Sequence, residues 1–542
     1  MRTRSAHLAL VVALGCVCVT HAAAQETVYT QTALVEDARQ LVAAIESAHP
    51  DPYTQGGGTI AFHRRFQQTL AAIPPTGMKV AAFHRLLLPL VAAVGDGHTA
   101  IRLPQSSPRT PSGLPLQLGI VERCMYVQNQ VDLDGEHLLG GRLSAVEGIG
   151  FDELLARQNH LRGIENEYGT MALLGRSLQT REGLKALVPE WGGRNTLAVE
   201  LLLPDGRTRA FHIPLDAGDT SRSVLPSSRV TMPDLEHSDI AFCFLGEGRD
   251  TALLVIKDMM AYREGGETWM ADGLSEAGEF INAAYSRFHS TAPPQDVRAA
   301  LAAIPSATEV FRDLVIAMKH AKTKTLLVDL RGNGGGNGFM SGILLYFLYG
   351  DSAMRGYDEG YSISRYSDLY FQVYTTATLA DITKGRAVAL EKGDYDFSEE
   401  EQYRSHRQVA DFDKEIAKSP TFSAFYRKGE QSGLPSPPRV IVLCSPLTYS
   451  SGFNLMTALQ NKGATIVGTP SAQPGNNFGD SLILRLKNTG IQAFVAFKQI
   501  LSFPDDPARG RSLPVDTPLT YRKLASYGFD PNAEVLLALE AR

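Results

Sequence analysis

Three stretches of the sequence combine residue types that could do chemistry. The first is a run of buried-strand residues, Val440 to Cys444, followed by Ser445-Pro446-Leu447-Thr448-Tyr449-Ser450-Ser451-Gly452. Strand passes to helix here, with Ser450 and Ser451 at the junction. A serine at a helix start commonly serves as an N-cap. The same hydroxyl can act as a nucleophile, because the next backbone N–H faces the charge that develops on a tetrahedral oxygen. The second stretch runs from Leu326 through Asp329-Leu330-Arg331-Gly332-Asn333-Gly334-Gly335-Gly336 to Gly338. A strand enters a turn so rich in glycine that backbone N–H groups can hold a phosphate or an oxyanion. It lacks the GxxxxGK[ST] pattern of a phosphate loop and does not match GxGxxG in register. The third is Gly95-Asp96-Gly97-His98-Thr99. A serine nucleophile needs a base that titrates near neutrality, and imidazole does.

The elements around these stretches follow from hydrophobic period. Leu34, Ala38, Leu41, Val42 and Ile45 recur at helical spacing, and His49-Pro50-Asp51-Pro52-Tyr53 ends that helix. A second helical run, Phe83 to Val94, leads into the His98 turn. From 114 to 215 the texture is β-like, with strands expected at Leu116–Val121, Leu143–Val146, Leu197–Leu203 and Arg209–Ile213. One helix is expected there, near Phe151–His160, and a hairpin turn at Pro204-Asp205-Gly206. Beyond 240, strands at Leu253–Lys257, Thr325–Asp329, Val440–Cys444 and Ala464–Gly468 alternate with helices near Phe339–Leu348 and Gly452–Asn461. That alternation implies an α/β domain with parallel pairing. The stretch 350–438 reads as a polar, Tyr-rich insertion with a helix near Ala410–Lys418.

Composition narrows the function classes. The chain has 542 residues, 44% of them hydrophobic and 20% charged, with 52 basic against 58 acidic side chains. A net charge of −6 offers no basic excess for nucleic acid, and five cysteines cannot build a disulfide scaffold. Arg2 and Arg4, the apolar run Leu8 to Val19 and Ala22-Ala23-Ala24 have the layout of a secretory signal peptide over residues 1–24, implying a secreted or periplasmic protein. Leu14-Gly15-Cys16 forms a lipoprotein-type box, a weaker fit because its apolar run is short. No other stretch is long and apolar enough to span a membrane. No His/Cys/carboxylate cluster has zinc spacing, so no metal is expected. His49 reads as a turn residue, His63 and His84 as helix-surface residues, and Tyr361, Tyr366, Tyr370 and Phe371 as aromatic packing rather than a pocket. Asp329 and Arg331 read as braces of the glycine turn.

In this order and rough spacing, the three stretches, with Gly463-Ala464-Thr465-Ile466-Val467-Gly468 after the serine, resemble the C-terminal processing (tail-specific) serine peptidases. The likeness is greatest to their tricorn-like and retinoid-binding-protein-like branch. The resemblance implies an α/β fold with a crotonase-like (ClpP/crotonase) core at 236–542, an N-terminal helical cap at 25–110 and a PDZ-like β-rich module at 111–235. It places Ser450 on the nucleophile, the Ser451 N–H on one oxyanion donor, the Gly335 N–H or that of Gly334 on the second, and His98 on the base. It implies no cofactor and a peptide or protein substrate, gripped in the PDZ-like groove by strand addition.

The departures from the family pattern are specific. Processing peptidases of the Ser/Lys type carry a lysine about 25 residues after the serine, where this chain has Gln473-Pro474-Gly475-Asn476-Asn477. A Ser/His pair is therefore expected. Phe453 replaces an acidic residue three after the serine, and Gly97 replaces a serine before the histidine. Asp96, Asp516 and Glu534 are candidates to orient His98. The alternatives are a catalytically degenerate protein that binds peptide or ligand on the same fold, and an esterase.

Overall fold

The computed structural model describes residues 27–541 apart from 105–112, 216–223, 356–359, 385, 387–388, 405–411, 429–433 and 435–436. The signal-peptide segment and Cys16 lie outside the described residues. Three helices open the described chain: Gln31–Ala48, Thr59–Ala71 and Val80–Ala92. Thr30 caps the first, and its apolar stripe of Leu34, Ala38, Leu41, Val42 and Ile45 is fully buried. The helix stops at Ala48 because the Pro50 ring forbids α backbone at the residue before it.

The β-rich part is an antiparallel sheet ordered Thr208–Pro214, Thr196–Leu202, Arg142–Val146, Cys124–Val127, Leu118–Val121. The anticipated helix is Phe151–Leu161. Two further helices, Glu167–Leu178 and Arg181–Leu187, were not expected from period alone. Their N-caps, Asn166 and Thr180, are the signals that mark them.

The third part holds a sheet ordered Ile240–Leu245, Thr251–Ile256, Thr325–Asp329, Arg439–Cys444, Thr465–Gly468, Thr517–Pro518. The first pair is antiparallel and the remaining pairs are parallel. Leu326, Val328, Val440 and Val442 face one apolar cluster, Leu327, Ile441 and Leu443 another. Burial on both faces explains why these strands read as continuous apolar runs. The fold is mixed α/β with several sheets.

A second sheet was not foreseen. The hairpin Asn476–Arg485 with Gln492–Leu501 pairs on one side with Tyr361–Arg365 and with Ala100–Arg102. The 350–438 stretch is thus tied to this sheet through Tyr361–Arg365 rather than appended to the parallel one. Tyr370 packs on Phe497 with ring centroids 5.1 Å apart, and Tyr366 and Phe371 stand edge-on to it at 4.8 and 5.2 Å. The cap helices bury their stripe against the same hairpin, sharing a cluster with Leu482, Ala493, Val495 and Phe497. This sheet carries His98 toward the serine: Ser481 Oγ donates to His98 O at 2.8 Å, and Ala496 N to Thr99 Oγ1 at 3.2 Å. Among the described residues no helix is long and apolar enough to cross a membrane.

Candidate active site

Ser450 sits where Arg439–Cys444 hands over to the helix Ser451–Asn461, with φ 52° and ψ −127°. A non-glycine residue at such an angle costs about 1–3 kcal/mol and persists only where its surroundings hold it. Those surroundings are two interlocked turns. Thr448 Oγ1 donates to Leu330 O at 2.7 Å, Ser445 Oγ to Arg331 O at 2.5 Å, and Tyr449 N to Asn333 O at 2.9 Å. Asn333, fully buried, donates Nδ2 to Ile256 O at 2.9 Å. The glycine turn itself is braced by Arg331, which donates Nε to Asp329 at 2.9 Å and Nη1 to Glu534 at 2.6 Å.

Glycine is required where the two turns touch. A Cβ on Gly335, whose φ is 95°, would lie 2.5 Å from Ser450 Cβ and 2.9 Å from Ser451 N. Backbone of the glycine turn therefore presses directly against the serine. The Gly335 N–H donates to Asn333 Oδ1 at 2.9 Å. Among the described residues the N–H groups of Gly334 and Ser451 make no hydrogen bond. Ser451 Oγ donates to Gly336 O at 2.7 Å, and Ser450 N donates to Gln473 Oε1 at 2.6 Å. Gln473, in the window where the Ser/Lys pattern has its base, thus holds the serine backbone.

His98 is brought to the same corner. Its backbone N–H donates to Asp96 Oδ1 at 2.8 Å, and its Nδ1 lies 3.7 Å from that oxygen. Nε2 is buried without a hydrogen-bond partner. With Nδ1 toward the carboxylate, Nε2 is left open to a partner. Asp96 also faces the buried His49, Nε2 to Oδ2 3.4 Å, a contact invisible in the sequence. Burial pushes the Asp96 carboxyl up, but the two imidazoles hold it well below the usual carboxylate range. Of the three acids considered for orienting His98, Asp96 is the one in place. Glu534 is spent on Arg331, and Asp516 accepts from Ile466 N at 2.7 Å.

Tyr449 and Glu165 complete the corner, and sequence reasoning missed both. The Tyr449 ring stacks on His98, centroids 4.9 Å apart, with its hydroxyl 3.5 Å from Nδ1. That hydroxyl also lies 2.9 Å from each oxygen of Glu165. Burial, then Asp96, push Glu165 up to about 7, and burial with Glu165 keeps Tyr449 a neutral phenol. Burial alone would lower the His98 pKa, but Asp96, Glu165 and Asp480 outweigh it and raise it above the ordinary value. No hydrogen bond joins Ser450 Oγ to His98 in this arrangement. Tyr449, adjacent in chain to the serine, marks the only sequence clue to that contact.

Two departures now have physical reasons. A Cβ at Gly97 would collide with Tyr449 Oη, so no serine fits there. Phe453 is fully buried in the core beneath the helix, where a carboxylate would be stranded. Asp96, His98 and Glu165 offer ligand atoms within 4.8 Å of one another, a grouping that could hold a cation. The Tyr449 hydroxyl donates to Glu165 in this cluster, while among the described residues Asp96 Oδ2 and His98 Nε2 have no hydrogen-bond partner.

Comparison with known proteins agrees with this geometry. Residues 287–493 match the model of peptidase family S41. The structure is similar to mature CPAF complexed with lactacystin, with TM-score 0.53 at 15% identity, covering 94% of this chain and 98% of that one. It is similar also to mature CPAF alone, with TM-score 0.52 at 14% identity over 93% and 96% of the two chains. The photosystem II D1 C-terminal processing protease aligns with TM-score 0.38 at 13% identity over 91% and 94%. No curated protein sequence matches. The family match spans the glycine turn, Ser450 and Gln473, so this part of the chain is similar to the serine peptidases of family S41.

Proposed function

We propose that the protein is a secreted peptidase that cleaves peptide bonds through an acyl-enzyme on Ser450, with His98 as its base. The observation that carries this reading is the pairing of a serine held at φ 52° with a histidine whose buried Nε2 has no partner. Ser450 Oγ attacks the scissile carbonyl as Nε2 takes its proton, and His98 returns that proton to the leaving amine. Water then hydrolyses the ester by the same route. Asp96 stabilises the imidazolium from the Nδ1 side.

Ser451 N–H is one oxyanion donor. The bond from Gly335 to Asn333 favours Gly334 as the second, each donor being worth roughly 3–4 kcal/mol in the transition state. The parallel sheet at 236–542 serves as a crotonase-like core, 25–110 as a helical cap, and 111–235 as a PDZ-like module that grips peptide as an added strand. The test is turnover of a peptide library by wild type, Ser450→Ala and His98→Ala. Cleavage lost in both variants supports the reading, and cleavage surviving Ser450→Ala overturns it.

A further inference from the structure

A cavity of about 590 Å³ opens where three parts of the chain meet: Arg65 from the cap, Glu165 from the β-rich part, and Pro474, Asn477, Phe478 and Arg511 from beyond the serine. Two of its walls adjoin residues that touch the proposed reacting groups. Glu165 accepts from the Tyr449 hydroxyl that touches His98. Pro474 follows Gln473, whose side chain holds the Ser450 N–H. A substrate residue beside the scissile bond therefore has this space as a neighbour.

The chemistry of the lining is one-sided. Arg65 donates one Nη to Gly56 O at 2.6 Å, and among the described residues neither Arg65 nor Arg511 has a carboxylate at ion-pair distance. Glu165 is the one acid among the described lining residues, and its carboxyl is already shared with Tyr449. Asn477 is 5% exposed; its Nδ2 donates to Pro474 O at 3.2 Å, while its Oδ1 is buried with no partner. An unpaired buried acceptor calls for an N–H donor, and two guanidiniums without a carboxylate partner, Arg65 half-buried and Arg511 exposed, are free to bind an anion. An acidic residue in a peptide supplies both, a carboxylate on its side chain and a backbone N–H beside it.

Resting on the peptidase reading, we propose that this cavity is a specificity pocket for an acidic substrate residue, with Arg65 and Arg511 taking its carboxylate and Asn477 Oδ1 accepting a backbone N–H of the same peptide. Planar guanidinium matches carboxylate geometry, and a pocket built for a charged partner rejects its neutral isostere.

The test uses full-length Ser450→Ala protein, so that binding is read without turnover. Calorimetric titrations compare peptides of one sequence with Glu or Gln scanned through each position. At one position Glu is expected to bind at least tenfold tighter than Gln. Arg65→Met and Arg511→Met should each cut that ratio about fivefold, and Arg511→Glu should favour Lys instead. Equal binding of the Glu and Gln peptides at every position, or a ratio unmoved by either Met variant, overturns the proposal. Wild-type cleavage of the same peptides separates the two ideas. Cleavage without acid preference leaves the peptidase and removes the pocket; acid-selective binding without cleavage leaves the pocket and removes the peptidase.

Discussion

The ring of Tyr449 lies on the imidazole of His98, with centroids 4.9 Å and planes 28° apart. The residue just before the serine, and not the serine itself, touches the proposed base. Through its hydroxyl the same ring reaches Glu165, so one phenol joins the serine turn, the histidine loop and the β-rich part of the chain. Each of the following expectations depends on that junction or on the turns that hold it.

Removing the phenol hydroxyl isolates a half-buried carboxyl. Tyr449→Phe should destabilise the protein by about 1–3 kcal/mol, the usual consequence of leaving a buried polar group without its donor. Urea unfolding measures it, and an unchanged midpoint with unchanged slope would contradict the network.

The pH profile reports the charges around His98. The base works when neutral, so kcat/KM should rise with pH through a midpoint above 6.5, because Asp96, Glu165 and Asp480 favour the imidazolium more than burial disfavours it. Glu165→Gln deletes one of those negative charges and should move the limb to lower pH. A limb that stays in place, or moves up, would separate Glu165 from the base.

Gly335→Ala inserts a methyl 2.5 Å from Ser450 Cβ at a backbone angle that suits glycine. The turns must separate, and a loss of at least a hundredfold in kcat/KM is expected, with stability lowered by about 1–3 kcal/mol. Wild-type activity in this variant would show that the turns are not in contact during catalysis.

Arg331 is 14% exposed and ties Asp329 on the core sheet to Glu534 in the last helix. Arg331→Met strands two largely buried carboxylates and should cost about 3–5 kcal/mol, read by denaturant unfolding at neutral pH.

Much of this arrangement was legible in the sequence, for identifiable reasons. The parallel strands are continuous apolar runs, and the strand-to-helix junctions at Gly338 and Ser450 carry their own turn residues. The hairpin Asn476–Leu501 escaped notice because its alternation is interrupted by polar residues such as Asp480 and Lys498, which pair with each other at 2.7 Å. With that hairpin unseen, nothing indicated how His98 reaches the serine 352 positions later in the chain. Glu165 was illegible for a deeper reason. A lone acid in a loop is ordinarily solvated, and only the packing of the β-rich part on the histidine turn makes this one half-buried. The occupied Gly335 N–H was equally hidden, because it depends on which way the Asn333 side chain turns.

An activated serine at 450 is read out by labelling with a fluorophosphonate followed by mass-spectrometric mapping of the adduct. Wild type, Ser450→Ala, Ser451→Ala and His98→Ala are compared, each shown to be folded by circular dichroism. An adduct on Ser450 is expected in wild type, with none in Ser450→Ala and a rate reduced by at least a hundredfold in His98→Ala. An adduct on Ser451, or labelling of Ser450 at full rate without His98, would contradict activation of Ser450 by His98.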